Sequence, residues 1–429
     1  MYRTPKILLT VTLALFFLSD KLIAEENLSW KGCLEEARKN NPDLISSQEN
    51  VKESEAAKKI TASSLYPQID SSAGVSKTKT TVTSSGNKTS KTSDAYSVGV
   101  TGTQLLFDGS KTSDNLKAAS ENIKAARYNY KFTSSGVRLR LRTAFVNLLK
   151  SQELLNITRE IYNIRRGDLE LITLRYESGI EHRGALLTAE ANLVQAEFEI
   201  SQAGRALEVA QRQIIKEMGR SQFSPIRVEA DFKVKEKVSQ EPDFLAMADT
   251  NPALGKVIAQ KNAASFGLKA AEANFLPQLQ AQAGANKSGS HLFPQDEQLN
   301  AGLTVSFPLF EGGLRAAEVS QAEAQFNQAQ ADERSTKDSV ILTLEETWAA
   351  LQDAVETVEV ENKFLDAAQE RSKIAEAQYS LGLIQFDNWT IIEDDLVRAK
   401  KTFLDAQANA LLAEANWVNA KGETLEYAD

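Results

Sequence analysis

The stretch Leu65-Tyr66-Pro67-Gln68 occurs early in the chain and returns, slightly altered, as Phe275-Leu276-Pro277-Gln278. A second stretch, Leu106-Phe107-Asp108-Gly109, returns in the same way as Leu309-Phe310-Glu311-Gly312. Proline has no N–H to donate and ends a helix, whereas glycine suits the point at which a strand gives way to a new helix. The order helix, strands, helix therefore occurs twice and predicts an internal two-fold repeat.

The correspondence continues beyond these marks in a shared register. Val137, Leu141, Phe145 and Leu148 match Val340, Leu344, Trp348 and Leu351, and Tyr176, Gly179, Glu190, Leu193 and Ala196 match Tyr379, Gly382, Glu393, Leu396 and Ala399. Agreement over about ninety residues indicates duplication rather than chance. We expect a first repeat at residues 25–219, a linker or equatorial segment at 220–243 and a second repeat at 244–429, with the two repeats forming one structural unit.

Apolar and polar residues alternate between the repeated stretches. The alternating apolar residues are Tyr96, Val98 and Val100 in the first copy, and Leu279, Ala281, Ala283, Ala285, Leu299, Ala301, Leu303, Val305 and Phe307 in the second. This two-residue period predicts four strands, each with one apolar face and one solvent-exposed polar face. The alternation is weak at Ile69–Val75. Soluble hairpins and outer-membrane strands fit the pattern equally well. Ser76–Asp94 and the shorter Asn286–Gln298 are expected to be solvated loops.

Two very long helices follow the strands. Each runs without proline, from about Lys111 to Tyr176 and from about Leu314 to Tyr379, ends at a Tyr-x-x-Gly turn and is followed by another long helix. At 1.5 Å per residue, about 65 residues form a rod of roughly 100 Å, which must be bundled along its length. The chain is therefore predicted to be mainly α-helical, with an ordinary coiled coil as the alternative for these helices.

The first 24 residues differ from the rest. Arg3 and Lys6 precede an apolar run, Ile7–Leu18, which has the length of a signal-peptide core. We predict a cleaved signal peptide at 1–24, with the exact site open because Leu22 is bulky and with a short membrane anchor as the alternative. Its removal takes away three basic residues and one acidic residue, which changes the net charge from −9 to −11.

Composition excludes several function classes. The 429 residues include one cysteine and two histidines, which leaves little material for metal or triad chemistry. The net charge of −9 argues against nucleic-acid binding. His182 lies between Glu181 and Arg183 in a predicted turn and is expected to be a solvated surface residue. We therefore expect no enzyme activity, no cofactor, no metal site and no nucleic-acid partner.

Four strands are too few to close a barrel, and open strand edges cannot face lipid. If the strands lie in a membrane, several chains must contribute to one barrel. Three chains would supply twelve strands, an even number of the kind that bacterial barrels use. A trimer is thus an expectation that rests on closure.

At this point the sequence resembles the TolC-type outer membrane efflux protein family over essentially the whole chain from Leu28 to about Thr424. The resemblance rests on Leu28-Ser29-Trp30 leading to Asn41-Pro42, the two Pro-Gln steps, the two strand exits and the two Tyr-x-x-Gly turns. It implies a homotrimer in the outer membrane lipid, with a twelve-stranded β-barrel continuous with a periplasmic α-helical barrel. It also implies a membrane-fusion adaptor and an inner-membrane pump of the RND, ABC or MFS type, in efflux or type I secretion.

The resemblance also assigns roles to residues. The adaptor-docking tips are Tyr176, Gly179, Leu186, Leu187, Tyr379, Gly382 and Trp389. The helix–strand transitions are Pro67, Gly109, Pro277, Gly312 and Gly313, with the glycines expected to relieve crowding. The candidate aperture residues are Asp387, Asn388 and Ile391. The family's acidic ring falls on Asn388 and Ile391 by ungapped counting, so a ring would depend on Asp387, which we favour as an exposed aspartate at a helix start.

Two functional hypotheses remain open from the sequence. The first is a passive export duct whose energy comes from a partner pump. The second is a periplasmic coiled-coil interaction or structural protein without a membrane barrel. Location separates them, since the duct must be found in the outer membrane. The acidic charge further predicts a lumen that prefers cations if the acidic side chains line it.

Overall fold

The computed structural model describes residues 26–85, 87–234 and 241–426, so the predicted signal peptide at 1–24 lies outside the described residues. The first half contains β1 (Glu26–Leu28), α1 (Trp30–Asn40), α2 (Pro42–Ser63), β2 (Gln68–Ser84), β3 (Asn87–Phe107), α3 (Lys111–Glu177) and α4 (Arg183–Met218). After β4 (Ile226–Val228), the second half contains α5 (Phe244–Thr250), α6 (Pro252–Glu272), β5 (Gln278–Gly289), β6 (Asp296–Ser306), α7 (Leu314–Ser380) and α8 (Phe386–Ala420).

The two halves have the same element order, and the same side chain begins corresponding helices. Asn41 accepts from the backbone of Asp43 at 3.0 Å and donates to the Glu217 carbonyl at 2.8 Å. Asn251 accepts from Ala253 at 2.9 Å and donates to the Ala420 carbonyl at 2.9 Å. Each Asn-Pro pair thus starts one helix and ties it to the far end of the returning helix, which explains why the pair recurs.

The long helices confirm the prediction closely. Both α3 and α7 contain 67 residues and extend one residue beyond the predicted ends. The matched apolar stripes of the two copies are buried: Val137, Leu141, Phe145 and Leu148 lie in one core cluster, and Leu344, Trp348 and Leu351 lie in another with Trp417. Tertiary packing of these stripes stabilises rods that would be marginal alone.

The linker between the halves is fastened to the helical body. Its strand β4 pairs in parallel with β1, and Gln152 both donates to and accepts from the backbone of Val228 at 2.9 and 3.0 Å. Arg220 bridges Glu26 and Glu36 with contacts of 2.6 and 2.5 Å. This segment therefore contains a short strand, and the strand lies against the middle of α3.

Four strands form one antiparallel sheet in the order β2-β3-β5-β6. The expected loop at Ser76–Asp94 is wrong, because β2 and β3 pair continuously from Gln68↔Thr103 to Ser84↔Asn87. Likewise β5 extends to Gly289 and β6 begins at Asp296, inside the expected loop Asn286–Gln298. The sequence pattern missed these strands because their faces are both polar, while threonine and serine still favour cross-strand pairing.

Candidate functional site

Both long hairpins reverse through the same backbone turn at the tip of the helical body. Gly179 has φ 73° and Gly382 has φ 76°, values that L side chains rarely adopt. The N–H groups of Ile180 and Leu383 donate to carbonyls of the last helical turn, Arg175 and Gln378, at 2.9 and 2.8 Å. No atom lies within 4 Å of a Cβ built on either glycine, so backbone conformation alone requires glycine at these two turns.

The helices that leave the two turns begin differently. His182 caps α4, since its Nδ1 accepts from the Ala185 N–H at 3.1 Å while the ring stays largely solvent-exposed. Gln385 makes no side-chain cap for α8, whose first turn contains Asp387 instead. The expected surface position of His182 is confirmed, and its capping role was not anticipated.

An aromatic cluster fills the tip of the second hairpin. The ring of Tyr379 stacks on Trp389 with centroids 4.5 Å apart and planes 6° from parallel, and Phe386 meets both rings edge-on. Tyr379 is only 1% exposed and Trp389 3%. Of the predicted tip residues, these two therefore lie in the core of the tip, Leu186 is half-buried, and Tyr176 and Leu187 are exposed.

Polar contacts of Tyr379 join the two hairpins. Its hydroxyl donates to Glu181 Oε2 at 2.8 Å, and Arg175 Nη1 donates to the Tyr379 carbonyl at 3.2 Å. The Arg175 guanidinium also lies 4.6 Å from the Tyr379 ring centroid. Burial, and then the bond to the Glu181 carboxylate, raises the pKa of Tyr379. Sequence reasoning missed Arg175 and Glu181, since neither has a counterpart of its own type in the second copy.

A charged cluster lies behind the aromatic cluster. Arg165 is buried and contacts Asp168 at 3.6 Å and Asp394 at 2.5 Å, while Ser372 Oγ donates to Glu393 at 2.6 Å. Burial, assisted by Glu393 and opposed by Arg165, raises the pKa of Asp168 to about 7. The tip therefore contains a carboxyl group that changes charge near neutral pH.

The candidate aperture residues lie together on the exposed side of α8. Asp387, Asn388 and Ile391 face solvent, whereas Phe386, Trp389 and Glu393 on the other side are buried. Asp387 occupies the first helical turn, where the helix dipole favours a negative charge. The two nearby carboxylates are engaged elsewhere, Asp394 by Arg165 and Asp395 by Arg371 and Arg398.

The predicted transitions lie where helices and strands meet. Pro67 and Pro277 directly precede β2 and β5, and Gln104 donates to the Leu65 carbonyl at 3.0 Å beside the first step. A Cβ on Gly109 would lie 2.6 Å from a Leu276 methyl, so crowding excludes a side chain there. The crowding expected at Gly312 and Gly313 is wrong: no atom lies within 4 Å of a built Cβ, and their φ values of 63° and 90° require glycine instead.

The sheet has two chemically distinct faces. In an antiparallel ladder, directly paired residues point to the same side, so the register defines each face. One face contains Ile69, Ala73, Val75, Tyr96, Val98, Val100, Leu279, Ala281, Ala283, Ala285, Leu299, Ala301, Leu303 and Val305. The other contains Gln68, Asp70, Ser72, Ser97, Thr101, Gln278, Gln280, Gln282, Asn286, Gln298, Asn300, Thr304 and Ser306. The large apolar residues Ile69, Val75, Leu299, Leu303 and Val305 are exposed, so no described part of the chain covers the apolar face.

The apolar band matches a membrane in size. Leu299 and Val305 are six residues apart on β6, a distance of about 20 Å at 3.4 Å per residue. Outer-membrane barrels carry an apolar band about 25 Å tall. Within the described residues, the outer edges of β2 and β6 have no strand beside them.

Neither a helical membrane span nor a metal-binding cluster is present in the described residues. None of the helices in the described ranges is long and apolar enough to cross a membrane. Residues 26–85, 87–234 and 241–426 contain no group of three or more His, Cys, Asp or Glu side chains that could hold a metal ion.

Comparisons with known proteins agree with this architecture. The family model described as "Outer membrane efflux protein" matches residues 33–220 and 246–424. The outer membrane efflux protein BepC of Brucella suis biovar 1 (strain 1330) is 23% identical over 402 residues, covering 91% of this chain and 84% of BepC.

Two solved structures have the same fold. A membrane protein from Pseudomonas aeruginosa superposes with a TM-score of 0.82 at 18% identity and covers 91% of this chain and 92% of its own. CusC, whose crystal structures are described as showing transmembrane channel formation, superposes with a TM-score of 0.81 at 18% identity, with 91% of each chain covered.

Proposed function

We infer that this chain, which belongs to the TolC-type outer membrane efflux protein family and is an outer-membrane protein, is a passive export channel. We propose that it is the channel-tunnel of a tripartite efflux or type I secretion system. The duct carries substrate from a periplasmic adaptor and an inner-membrane pump to the outside. Its relatives are channel proteins rather than enzymes, so the transport energy comes from the pump. The pump is of the RND, ABC or MFS type.

One observation carries the proposal: the sheet is apolar on one face and polar on the other, and no described segment of the chain pairs with either of its edges. Open edges cannot face lipid, so the sheet closes only with sheets of other chains. In a homotrimer, twelve strands close a barrel with the apolar face toward lipid and the polar face toward the lumen. The helices then continue the lumen as an α-helical barrel in the periplasm.

The surface of the single chain supports assembly. Its accessible area is 27517 Å². A compact monomer of 47.1 kDa would expose roughly 16,000 Å². Both the rod shape of the helices and the uncovered sheet contribute to this excess, which neighbouring protomers and lipid would cover. We further propose that the two halves are repeats of one tunnel-forming unit, which is exported after removal of residues 1–24.

The exposed apolar residues at the tips supply the docking surface for the adaptor. Leu174, Ile180, Leu187, Leu381 and Leu383 are all exposed around the two glycine turns. Tyr176 lies beside them, while Tyr379 and Trp389 hold the turns together from inside. Adaptor contacts at the turns then bias helix packing at the tip, which opens or closes the lumen. Asp387, Asn388 and Ile391 line the aperture of the trimer in this arrangement.

Membrane fractionation of cells expressing the full chain tests the proposal. We expect the protein in the outer-membrane fraction as a trimer that resists SDS without heating. A trimer that forms single channels in planar bilayers would add the duct activity. A freely soluble periplasmic monomer would overturn the proposal in favour of a coiled-coil interaction or structural protein.

A further inference from the structure

The hairpin of β2 and β3 extends far beyond the rest of the sheet. Pairing between β3 and β5 ends at Tyr96↔Gly289, whereas β2 and β3 continue to pair through Ser84↔Asn87. Residues 76–85 and 87–95 thus form a two-stranded ribbon that rises about 30 Å from the four-stranded part, at 3.4 Å per residue. It projects from the end of the sheet opposite the helices. We call residues 76–85 and 87–95 the ribbon.

The ribbon is cationic although the chain is acidic. It contains Lys77, Lys79, Lys88 and Lys91 against a single acidic residue, Asp94. The chain as a whole has a net charge of −9. The β5–β6 hairpin shows no such excess, since its Lys287 lies 3.8 Å from Glu297. Positive charge is therefore concentrated on one hairpin.

The register places most of this charge on one side of the ribbon. Val75 and Tyr96 form a directly paired couple on the apolar face. Counting two residues at a time from that couple puts Lys77, Lys79 and Lys88 on the same face and Lys91 on the opposite face. Lys77 and Lys79 therefore stand directly above the apolar band, and Lys88 lies on the same side of the sheet but about 27 Å beyond Tyr96, at 3.4 Å per residue.

Two of these lysines are free to bind an external anion. Lys77 contacts Asp94 at 3.3 Å. In the part of the chain that the structure describes, Lys79 and Lys88 have no carboxylate within 4.0 Å. A hydroxyl pair, Thr81 and Ser90 at 2.9 Å, lies between them on the same face. At the base of the ribbon the site therefore offers the unpaired ammonium group of Lys79, the ammonium group of Lys77, which also contacts Asp94, and hydroxyl groups nearby.

We propose that Lys77 and Lys79 form a binding site for the phosphate groups of glycolipids in the outer leaflet of the outer membrane. The inference rests on the proposed function, because it takes the apolar band to lie in that membrane. Along the strand, Lys77 lies about 7 Å and Lys79 about 13 Å beyond Val75, the depth at which lipid phosphates follow the hydrocarbon. Tyr96 marks the boundary, as aromatic residues do at membrane interfaces. Lysine binds phosphate as a point charge and reaches it through a flexible stem.

Lipid binding by the purified full-length trimer in detergent tests the site. The probes are diphosphorylated lipid A and dephosphorylated lipid A with the same acyl chains. We expect the wild type to prefer the diphosphorylated form. Lys79→Gln should weaken its binding by about fivefold, since a lysine near an anionic lipid surface contributes on the order of 1 kcal/mol. Equal binding of the two lipids by the wild type would overturn the proposal.

Lys91→Gln is the matched control, because it removes the same charge from the opposite face of the same ribbon. It should change binding by less than about twofold. A loss as large as that of Lys79→Gln would show that net charge, not the outward face, attracts the lipid. A gain-of-binding variant, Asp94→Asn, frees Lys77 and should strengthen binding, which keeps the test informative if a lysine variant assembles poorly.

Inorganic phosphate distinguishes a lipid site from a site for free anions. At concentrations that leave the ionic strength unchanged, it should not displace diphosphorylated lipid A, and complete displacement would contradict a lipid site. Failure of the proposed function looks different, since the wild type would then be missing from the outer-membrane fraction. A trimeric channel with no phosphate preference would refute the lipid site alone.

Discussion

The two tip turns have the same backbone and opposite interiors. Tyr176 and Tyr379 stand at the same position before their glycines, yet Tyr176 is 38% exposed and Tyr379 is 1% exposed. The helices that follow explain the difference: α8 offers Phe386 and Trp389 where α4 has Arg183 and Leu186. The Tyr-x-x-Gly motif thus keeps the same backbone geometry at both turns. The neighbouring side chains decide whether its tyrosine is a surface residue, as at Tyr176, or a buried packing residue, as at Tyr379.

A substitution that disfavours the backbone conformation of one turn should have the largest effect. Gly382→Val places a β-branched residue at φ 76° and should abolish export while SDS-resistant trimers remain in the outer membrane. Export of a pump substrate from whole cells measures this. Gly167→Val is the control, because Gly167 is exposed on α3 and a Cβ there meets nothing within 4 Å. Normal export by Gly382→Val would refute the role of this turn in docking or gating.

Truncating the two tyrosines to alanine should have the next largest effect and should destabilise the two tips by different amounts. Tyr379→Ala removes a buried, stacked ring and should lower the free energy of local unfolding at the tip by about 3–5 kcal/mol. Tyr176→Ala should cost well under half of that, since its ring is partly solvated. Amide hydrogen exchange of the residues around Gly382 reports the opening. Similar losses of protection in both variants would mean that the rings are equivalent in the trimer.

Removing only the hydroxyl isolates the link between the hairpins. Tyr379→Phe keeps the stacked ring but removes the donor to Oε2 of the largely buried Glu181 carboxylate, which keeps only the His182 N–H on Oε1, and this loss should cost about 1–3 kcal/mol. Single-channel records should show more frequent openings, because one contact between the hairpins is lost. Tyr176→Phe should leave both hydrogen exchange and openings unchanged. Identical records for Tyr379→Phe and the wild type would exclude this bond from gating.

Asp168 should make the stability of the tip depend on pH. At the corresponding position of the second hairpin stands the exposed Arg371. The pKa of Asp168 in the folded tip is about 7, against an ordinary aspartate value of 3.8. Between about pH 4 and 7 the folded tip binds more protons than the unfolded chain, so its stability should fall as pH rises to 7 and level off above. Asp168→Asn should remove this decline in tip hydrogen-exchange protection, and Asp387→Asn should not. The same slope in wild type and Asp168→Asn would disprove the assignment.

Channel selectivity should show the smallest effect. If Asp387 lines the trimer aperture, wild-type channels should prefer cations and Asp387→Asn should reduce that preference modestly. Reversal potentials in a salt gradient across planar bilayers measure it, with His182→Gln at the other turn as the control. Anion preference in the wild type would reject an aperture dominated by acidic side chains.

The sequence predicted most of the architecture because the relevant signals are local. Proline at the Pro-Gln steps, glycine at the turns and the apolar period of α3 and α7 each act within a few residues. The same locality explains the main miss. Alternation of apolar and polar residues finds a strand only when one face is apolar, so the ribbon, with polar side chains on both faces, was mistaken for a loop.

The candidate site was predictable only in part. The positions of the turns and the surface location of His182 and Asp387 follow from sequence, since they depend on where helices begin and end. The contacts of Arg175 and Glu181 with Tyr379 do not, because they join residues about 200 positions apart. Sequence patterns report on neighbouring residues, so they do not reveal which distant residues will meet.

By itself, the sequence determined the order of elements, the length of the two rods, the places where the chain reverses and the family to which it belongs. These depend on backbone preferences and on periodicity, which are properties of short segments. Only the tertiary structure decided which tyrosine is buried, why Asp168 titrates near neutral pH and which face of the sheet continues into the lysines of the ribbon. Burial, electrostatic coupling and strand register all arise between distant segments, so they exist only once the chain has folded.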